Sequence, residues 1–150
     1  FRRLRRRATL PEIGRHVFIS YASKDAAQAE RLVAELEARG VRCWIAPRDV
    51  PAGEEYADVL VAAIDACALM LVLLSSAANA SPHVRREIGR AVDRRRPVLT
   101  LRLADIRPVK ALAYYLAETQ WVDWLTDPSE DALDALAVTV GKWTQGRAAK

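Results

Sequence analysis

An unbroken run of apolar residues, from Ala66 to Leu74, limits the folds open to this chain more than any other segment. Its stretch from Ala68 to Leu74 has no alternating polar residues, so a strand formed there must be covered on both faces. Such strands occur mainly in parallel sheets that carry helices on both sides. The run is also far shorter than the ~20 residues of a membrane-spanning helix. We therefore expect a central, buried, parallel strand.

Helical and strand patterns alternate along the chain around this run. Strands are predicted at 17–19, 41–45, 68–74, 97–103 and 120–124. The first helix is predicted from Ala26 to a stop at Gly40, and the other helices at 56–64, 82–93, 109–117 and 129–143. The inward-facing stripes of the third and last helices are predicted as Val84, Ile88, Ala91 and Val92, and as Leu133, Leu136, Val140 and Trp143. Strict alternation with short connections implies a parallel sheet with right-handed crossovers. We expect an α/β protein, a flavodoxin-like three-layer sandwich with a five-stranded parallel sheet in the order 2-1-3-4-5.

In that order the chain reverses direction between the first and third strands, and a crevice opens at their carboxyl ends. Polar loops follow both strands and lead into it. The next helix has Ser81 as its predicted N-cap and Pro82 as its first residue. Glu87 lies one helical turn below His83, on the same face. The residues that this topology brings together are Tyr21, Ser23, Ser76, His83 and Glu87.

Glu87 has two interpretations. A glutamate on a helix is commonly solvated and paired with an arginine one turn away, and Arg90 stands at that spacing. Alternatively, partial burial in the crevice would raise its pKa and fit it for chemistry. The absence of a second carboxylate or a glycine-rich phosphate loop argues against ordinary glycosidases and dehydrogenases. NAD+ needs no acid to protonate its departing nicotinamide, so one carboxylate near the ribose would suffice, and the ring of His83 could stack on a base.

Composition limits the cofactors, partners and compartment. Cys43 and Cys67 both fall on apolar elements, which favours a reducing cytoplasm, and the presence of only two histidines argues against a metal site. Arginines crowd the first seven residues, but no aromatic residue interleaves them, so there is no strong case for nucleic acid. We interpret 1–14 as a basic linker from an upstream sensor or membrane-linked region, 15–145 as the domain and 146–150 as a tail.

Several segments, taken in order, resemble the bacterial form of the Toll/interleukin-1 receptor (TIR) domain. They are 17–25, 44–53, 71–76, 81–88, 112–116 and 121–125. The resemblance implies cleavage of NAD+ at the nicotinamide–ribose bond, which gives nicotinamide with ADP-ribose or a cyclised product. It implies no cofactor besides this substrate, and a place in antiphage defence.

The same resemblance assigns roles to individual residues. Glu87 matches the catalytic position, and His83 stands where a tryptophan is common. The residues expected to bind substrate are Ser20, Tyr21, Ser23, Arg48, Ser76 and His83. Arg48, Asp49 and Gly53 fall in a loop that contacts a neighbouring subunit in active assemblies, so self-association is expected. Two alternatives stay open: a non-catalytic TIR adaptor that acts by homotypic binding, and an N-glycosidase for another nucleotide.

Overall fold

A computed structural model of the chain describes residues 15–124 and 128–146. Within these ranges, five strands form one sheet in the order β2-β1-β3-β4-β5, and each neighbouring pair is parallel. The strands are β1 (Val17–Ser20), β2 (Cys43–Trp44), β3 (Leu69–Leu74), β4 (Val98–Arg102) and β5 (Gln120–Asp123). The predicted fold class and strand order are therefore confirmed.

Helices cover both faces of this sheet. They are α1 (Ala26–Ala38), α2 (Tyr56–Ala66), α3 (Ser76–Asn79), α4 (Pro82–Asp93), α5 (Lys110–Leu116) and α6 (Glu130–Gly146), with a short 3-10 turn at Ser23–Asp25. One core cluster contains apolar side chains of α1 and α6, and a second contains those of α2, α4 and α5. The molecule is thus a three-layer sandwich with a hydrophobic core on each side of the sheet.

Strand β3 lies between β1 and β4 and is buried along its whole length. Its side chains alternate between the two cores: Leu69, Leu71 and Leu73 face one, and Met70, Val72 and Leu74 face the other. Because each face meets a layer of helices, an apolar residue is needed at every position, and this explains the unbroken run in the sequence.

The end of α1 follows the prediction made from Gly40. This residue has φ +86°, and its N–H donates to the carbonyl of Glu37, while the N–H of Val41 donates to the carbonyl of Leu36. The pair of bonds is a Schellman motif, for which glycine is preferred because its backbone adopts positive φ without a Cβ clash.

The structure corrects three details of the predicted elements. Helix α3 was not predicted, because four residues are too few to show a periodic pattern. Val92 and Trp143 were predicted to face inward, but they are 40% and 39% exposed. At ~100° per residue each lies roughly 80° from the centre of its buried stripe, on the boundary with solvent.

Some predictions fall on residues outside the described ranges. They are the basic linker at 1–14, most of the tail at 146–150 and the last residue of the 121–125 segment. Among the helices that the structure describes, none is long and apolar enough to span a bilayer.

Candidate functional site

The carboxylate of Glu87 lies at the carboxyl end of the sheet, against strand β1. Glu87 is on the second turn of α4 and is half-buried. Ser20, the last residue of β1, is fully buried, and its Oγ donates a hydrogen bond of 2.7 Å to Glu87 Oε1. The structure therefore joins two residues that the sequence analysis placed in one site.

Local interactions set the position of Glu87. Helix α4 begins as predicted: Ser81 is its N-cap, and its Oγ accepts a hydrogen bond of 3.2 Å from the N–H of Val84. Val84, Ile88 and Ala91 are fully buried in the core beneath the helix. Because this buried stripe packs against the sheet, Glu87 lies at the border of the stripe, and its carboxylate contacts Ser20 of β1.

Burial changes the chemistry of this carboxyl group. It raises the pKa of Glu87 to about 7, because the charged form loses hydration. The hydrogen bond from Ser20 and the positive charge of Arg86 oppose this rise, since both favour the anion. The group is therefore poised to change charge near neutral pH, which is frequent among functional carboxylates.

If Glu87 were an ordinary solvated residue of the helix surface, it would be expected to form an ion pair with Arg90. The structure shows no such pair. The Nε and Nη2 of Arg90 donate to the two carboxylate oxygens of Asp65 on α2, at 2.7 and 2.6 Å. Arg94 also contacts Asp65, at 3.2 Å. Because Arg90 is held by another carboxylate, it leaves Glu87 without an ion-pair partner among the described residues.

A buried hydrogen bond ties the loops that follow β1 and β3. The hydroxyl of Ser75 donates to Asp25 Oδ2, and both residues are buried. Ser75 Oγ also accepts from the N–H of Ala78 at 3.0 Å and so caps α3. The two loops that follow these strands are thus fixed to one another at the carboxyl end of the sheet.

Tyr21 connects the site to the segment that follows β2. Its hydroxyl donates to the carbonyl of Ala46 at 2.5 Å, and its ring is half-buried. Burial raises the pKa of Tyr21 above its usual value, so the side chain stays neutral and remains a donor at physiological pH.

Three other predicted residues lie at exposed positions around the same end of the sheet. Ser23 is in the turn after β1, Ser76 opens α3, and His83 lies on the first turn of α4. His83 Nδ1 is 3.3 Å from Arg86 Nη2. Their exposure leaves them accessible to a ligand, although no hydrogen bond between described residues links any of them directly to Glu87.

Arg48 and Asp49 interact elsewhere, at the β2 edge of the sheet. Arg48 donates to both carboxylate oxygens of Glu37 on α1, at 3.1 and 2.9 Å, and to Asp49. Asp49 Oδ2 accepts from the N–H of Ile45 at 2.9 Å. Within the described part of the chain, none of these contacts joins Arg48 to Glu87. Gly53 is exposed in the same loop and has φ +86°.

Asp25, Ser75 and Arg86 were not predicted as members of this site. Asp25 and Ser75 follow neighbouring strands, and polar residues at carboxyl ends of adjacent parallel strands are a signal that could have identified them. Arg86 had no such signal, because an arginine on an amphipathic helix is ordinarily part of the solvated face.

Neither metal nor thiol chemistry finds support in the described residues. No group of three or more His, Cys, Asp or Glu side chains there is arranged to hold a metal ion. Cys43 and Cys67 are buried and free, and burial raises the pKa of each thiol to about 12. Both thiols therefore stay protonated at neutral pH and are poor nucleophiles.

The fold is that of a TIR domain. The sequence profile of that family matches residues 17–137, and the chain therefore belongs to the TIR domain family. The stimulator of interferon genes protein of Magallana gigas is 37% identical over 79 residues, which are 52% of this chain and 19% of that protein. This chain therefore spans about a fifth of its curated relative.

Solved structures show the same fold. A metazoan TIR-STING receptor from C. gigas, in complex with 2′,3′-cGAMP, superposes with a TM-score of 0.71 at 25% identity, over 87% of this chain and 40% of that one. A CMP N-glycosidase of Clostridium botulinum superposes with a TM-score of 0.58 at 17% identity, over 83% of this chain and 98% of that one. The second likeness is one of fold alone.

Proposed function

We propose that this TIR domain is an NAD+ glycohydrolase, with Glu87 as its catalytic residue. The observation that carries the proposal is the half-buried carboxylate of Glu87, which is held by Ser20 and has no ion-pair partner among the described residues. Burying a carboxylate without a cation lowers the stability of the folded protein, and such groups concentrate at functional sites. The residue fits a substrate that brings the positive charge itself.

The chemistry requires one carboxylate. As the nicotinamide–ribose bond breaks, its electron pair moves to the ring nitrogen and neutralises the pyridinium, while positive charge develops on the ribose. The carboxylate of Glu87 would stabilise this oxocarbenium-like state, and half-burial strengthens the attraction because the local dielectric is low. Water then attacks the ribose carbon and releases a proton, which gives ADP-ribose; attack by a ring nitrogen of the adenine gives the cyclic product.

The protonation of Glu87 sets a direction for the pH dependence. Only the anion stabilises the developing cation, and the pKa of Glu87 in the free protein is about 7. Activity should therefore rise with pH through this range and level off above it. A bound cationic substrate would favour the anion and extend activity to lower pH.

Biological context is part of the same proposal. We propose that the domain is switched on by self-assembly through the 48–53 loop and that an upstream region of a longer protein senses the signal. The buried, free thiols support a reducing cytoplasmic setting. Membership in the bacterial branch and action in antiphage defence stay predictions, since the relatives described above include animal proteins as well as a clostridial one.

The test compares nicotinamide release by the wild type and by Glu87→Gln, with NAD+ as substrate, for the free protein and after forced oligomerisation. Glutamine keeps the shape and can accept from Ser20, but it has no charge. Loss of such a transition-state charge typically lowers the rate by ~10²–10³. The exposed Glu118→Gln provides a matched control, since it removes the same charge outside the site.

The outcomes separate the alternatives. Equal rates for the wild type and Glu87→Gln would refute the catalytic assignment. No release by any assembled form would favour a non-catalytic adaptor. A panel that includes CMP and other nucleotides tests an N-glycosidase of different specificity, and cleavage of CMP but not NAD+ would overturn the proposed substrate.

A further inference from the structure

The arginines along α4 differ in their partners. Arg90 and the C-cap residue Arg94 both bind Asp65. Arg86 is exposed, and no ion pair among the described residues includes it; its Nη2 lies 3.3 Å from the ring nitrogen Nδ1 of His83. An anion could bind Arg86 without first displacing a carboxylate, whereas Arg90 would have to release Asp65.

The position of Arg86 relative to Glu87 follows from helix geometry. His83 precedes Arg86 by three residues and Glu87 by four, so it lies one turn above both. The contact with His83 draws the guanidinium of Arg86 towards the first turn of α4, at the carboxyl end of the sheet. Arg86 is also close enough to favour the charged form of Glu87 and so to lower its pKa.

Arg85 provides a comparison for Arg86, because the two arginines differ in position relative to Glu87. It is equally exposed and carries the same charge, but it lies two residues from Glu87 and therefore ~200° away around the helix axis. Two adjacent arginines thus differ in whether they face the candidate site.

We propose that Arg86 is a substrate-binding residue that recognises a phosphate group, so that the site accepts nucleotides rather than nucleosides. The pairing of this phosphate site with a ribose at Glu87 rests on the proposed function, in which Glu87 is the catalytic residue. The planar guanidinium can donate two parallel hydrogen bonds to phosphate oxygens, a geometry that a lysine ammonium lacks. With Glu87 at the ribose and Arg86 at the phosphate, one turn of α4 would bind the two charged parts of the substrate.

Binding of ADP-ribose, measured by calorimetry under conditions that allow assembly, tests this separately from cleavage. The proteins are the wild type, Arg86→Gln, Arg86→Lys and Arg85→Gln, and adenosine is the ligand without phosphate. Since hydrogen bonds to charged groups are strong, Arg86→Gln should weaken ADP-ribose binding ~10- to 100-fold. Arg86→Lys should lose part of the affinity for ADP-ribose, and Arg85→Gln should keep an affinity within about twofold of the wild type. Adenosine should bind all four proteins with equal affinity.

Unchanged ADP-ribose affinity in Arg86→Gln would overturn the inference. Equal losses in Arg85→Gln and Arg86→Gln would also overturn it, because they would indicate only general charge attraction. Failure of the wild type to bind ADP-ribose would overturn it as well. A wild type that binds ADP-ribose through Arg86 but cleaves no NAD+ would refute the proposed hydrolase and leave phosphate recognition standing.

Discussion

The hydroxyl of Ser20 and the carboxylate of Glu87 lie 2.7 Å apart, although 67 residues separate them in the sequence. Ser20 has no exposed surface, so its side chain lies behind the carboxylate and any effect on a ligand must pass through Glu87. The bond favours the anion and opposes the rise in pKa that burial causes. Ser20 is therefore best understood as a positioning residue that sets the charge and orientation of Glu87.

Removing the Ser20 hydroxyl should move the pH profile of the reaction. Ser20→Ala deletes a donor to a charged group, worth ~1.5–3 kcal/mol, which corresponds to a rise of roughly one to two units in the pKa of Glu87. Nicotinamide release should fall near pH 7 and recover towards pH 9, since the anion forms only at higher pH. Rates across pH for the wild type, Ser20→Ala and Ser129→Ala, which removes an exposed hydroxyl at the start of α6, check this. An unshifted midpoint in Ser20→Ala would contradict the positioning role.

Glu87→Gln should also stabilise the fold at alkaline pH. The pKa of Glu87 is about 7 in the folded state against 4.5 in the reference state, so the folded protein keeps a proton that the unfolded chain loses between these values. Stability contributed by this group is therefore lost as pH rises through that window. A shift of this size corresponds to at most ~3 kcal/mol.

Melting temperatures of the wild type and Glu87→Gln at pH 4 and pH 8 measure the effect. The two proteins should melt close together at pH 4, and the variant should melt several degrees higher at pH 8. A wild type as stable as the variant at pH 8 would show that the carboxylate is better solvated than its burial suggests.

Gly53 offers a test of the assembly proposal. Its φ of +86° is open to glycine but not to proline, whose ring fixes φ near −65°. Gly53→Pro should therefore change the 48–53 loop while leaving the core intact, because an added Cβ there meets no neighbouring atom. NADase activity of the wild type should rise more than linearly with concentration, and this rise should be suppressed in Gly53→Pro.

Sedimentation of both proteins over the same concentrations, with melting temperatures as the control for folding, completes that experiment. A wild type that stays monomeric while its activity remains proportional to concentration would exclude activation by assembly.

Sequence patterns predicted the sheet well because its constraints are local and repeated. The unbroken run in β3 and the glycine after α1 each have a single physical interpretation, and both were confirmed. Predictions failed where a residue lies on a boundary, as for Val92, because a stripe drawn from periodicity has no sharp edge. The Glu87 position followed from the topology, but its partners did not.

Partners in the site depend on distances that no local pattern encodes. Whether Arg90 approaches Glu87 or Asp65 depends on how α2 packs beside α4, and the structure places it on Asp65. In the same way, the contact between Asp25 and Ser75 joins loops that are distant in the sequence. Sequence analysis predicted that Glu87 lies at the carboxyl end of the sheet, and the tertiary packing determined which charged side chains remain without an ion pair there among the described residues.

The buried contact between Asp25 and Ser75 should be energetically coupled and should matter for the shape of the site. Both residues are buried, so removing one partner leaves the other without its hydrogen bond, at a cost of ~1–3 kcal/mol. Ser75→Ala should cost more, since it also removes the N-cap of α3. Urea unfolding of Asp25→Ala, Ser75→Ala and the double variant gives the coupling energy, and strict additivity would show that the two side chains act independently. Because this bond fixes the loops that follow β1 and β3, at the end of the sheet where Glu87 lies, nicotinamide release should fall in both single variants at temperatures where each remains fully folded.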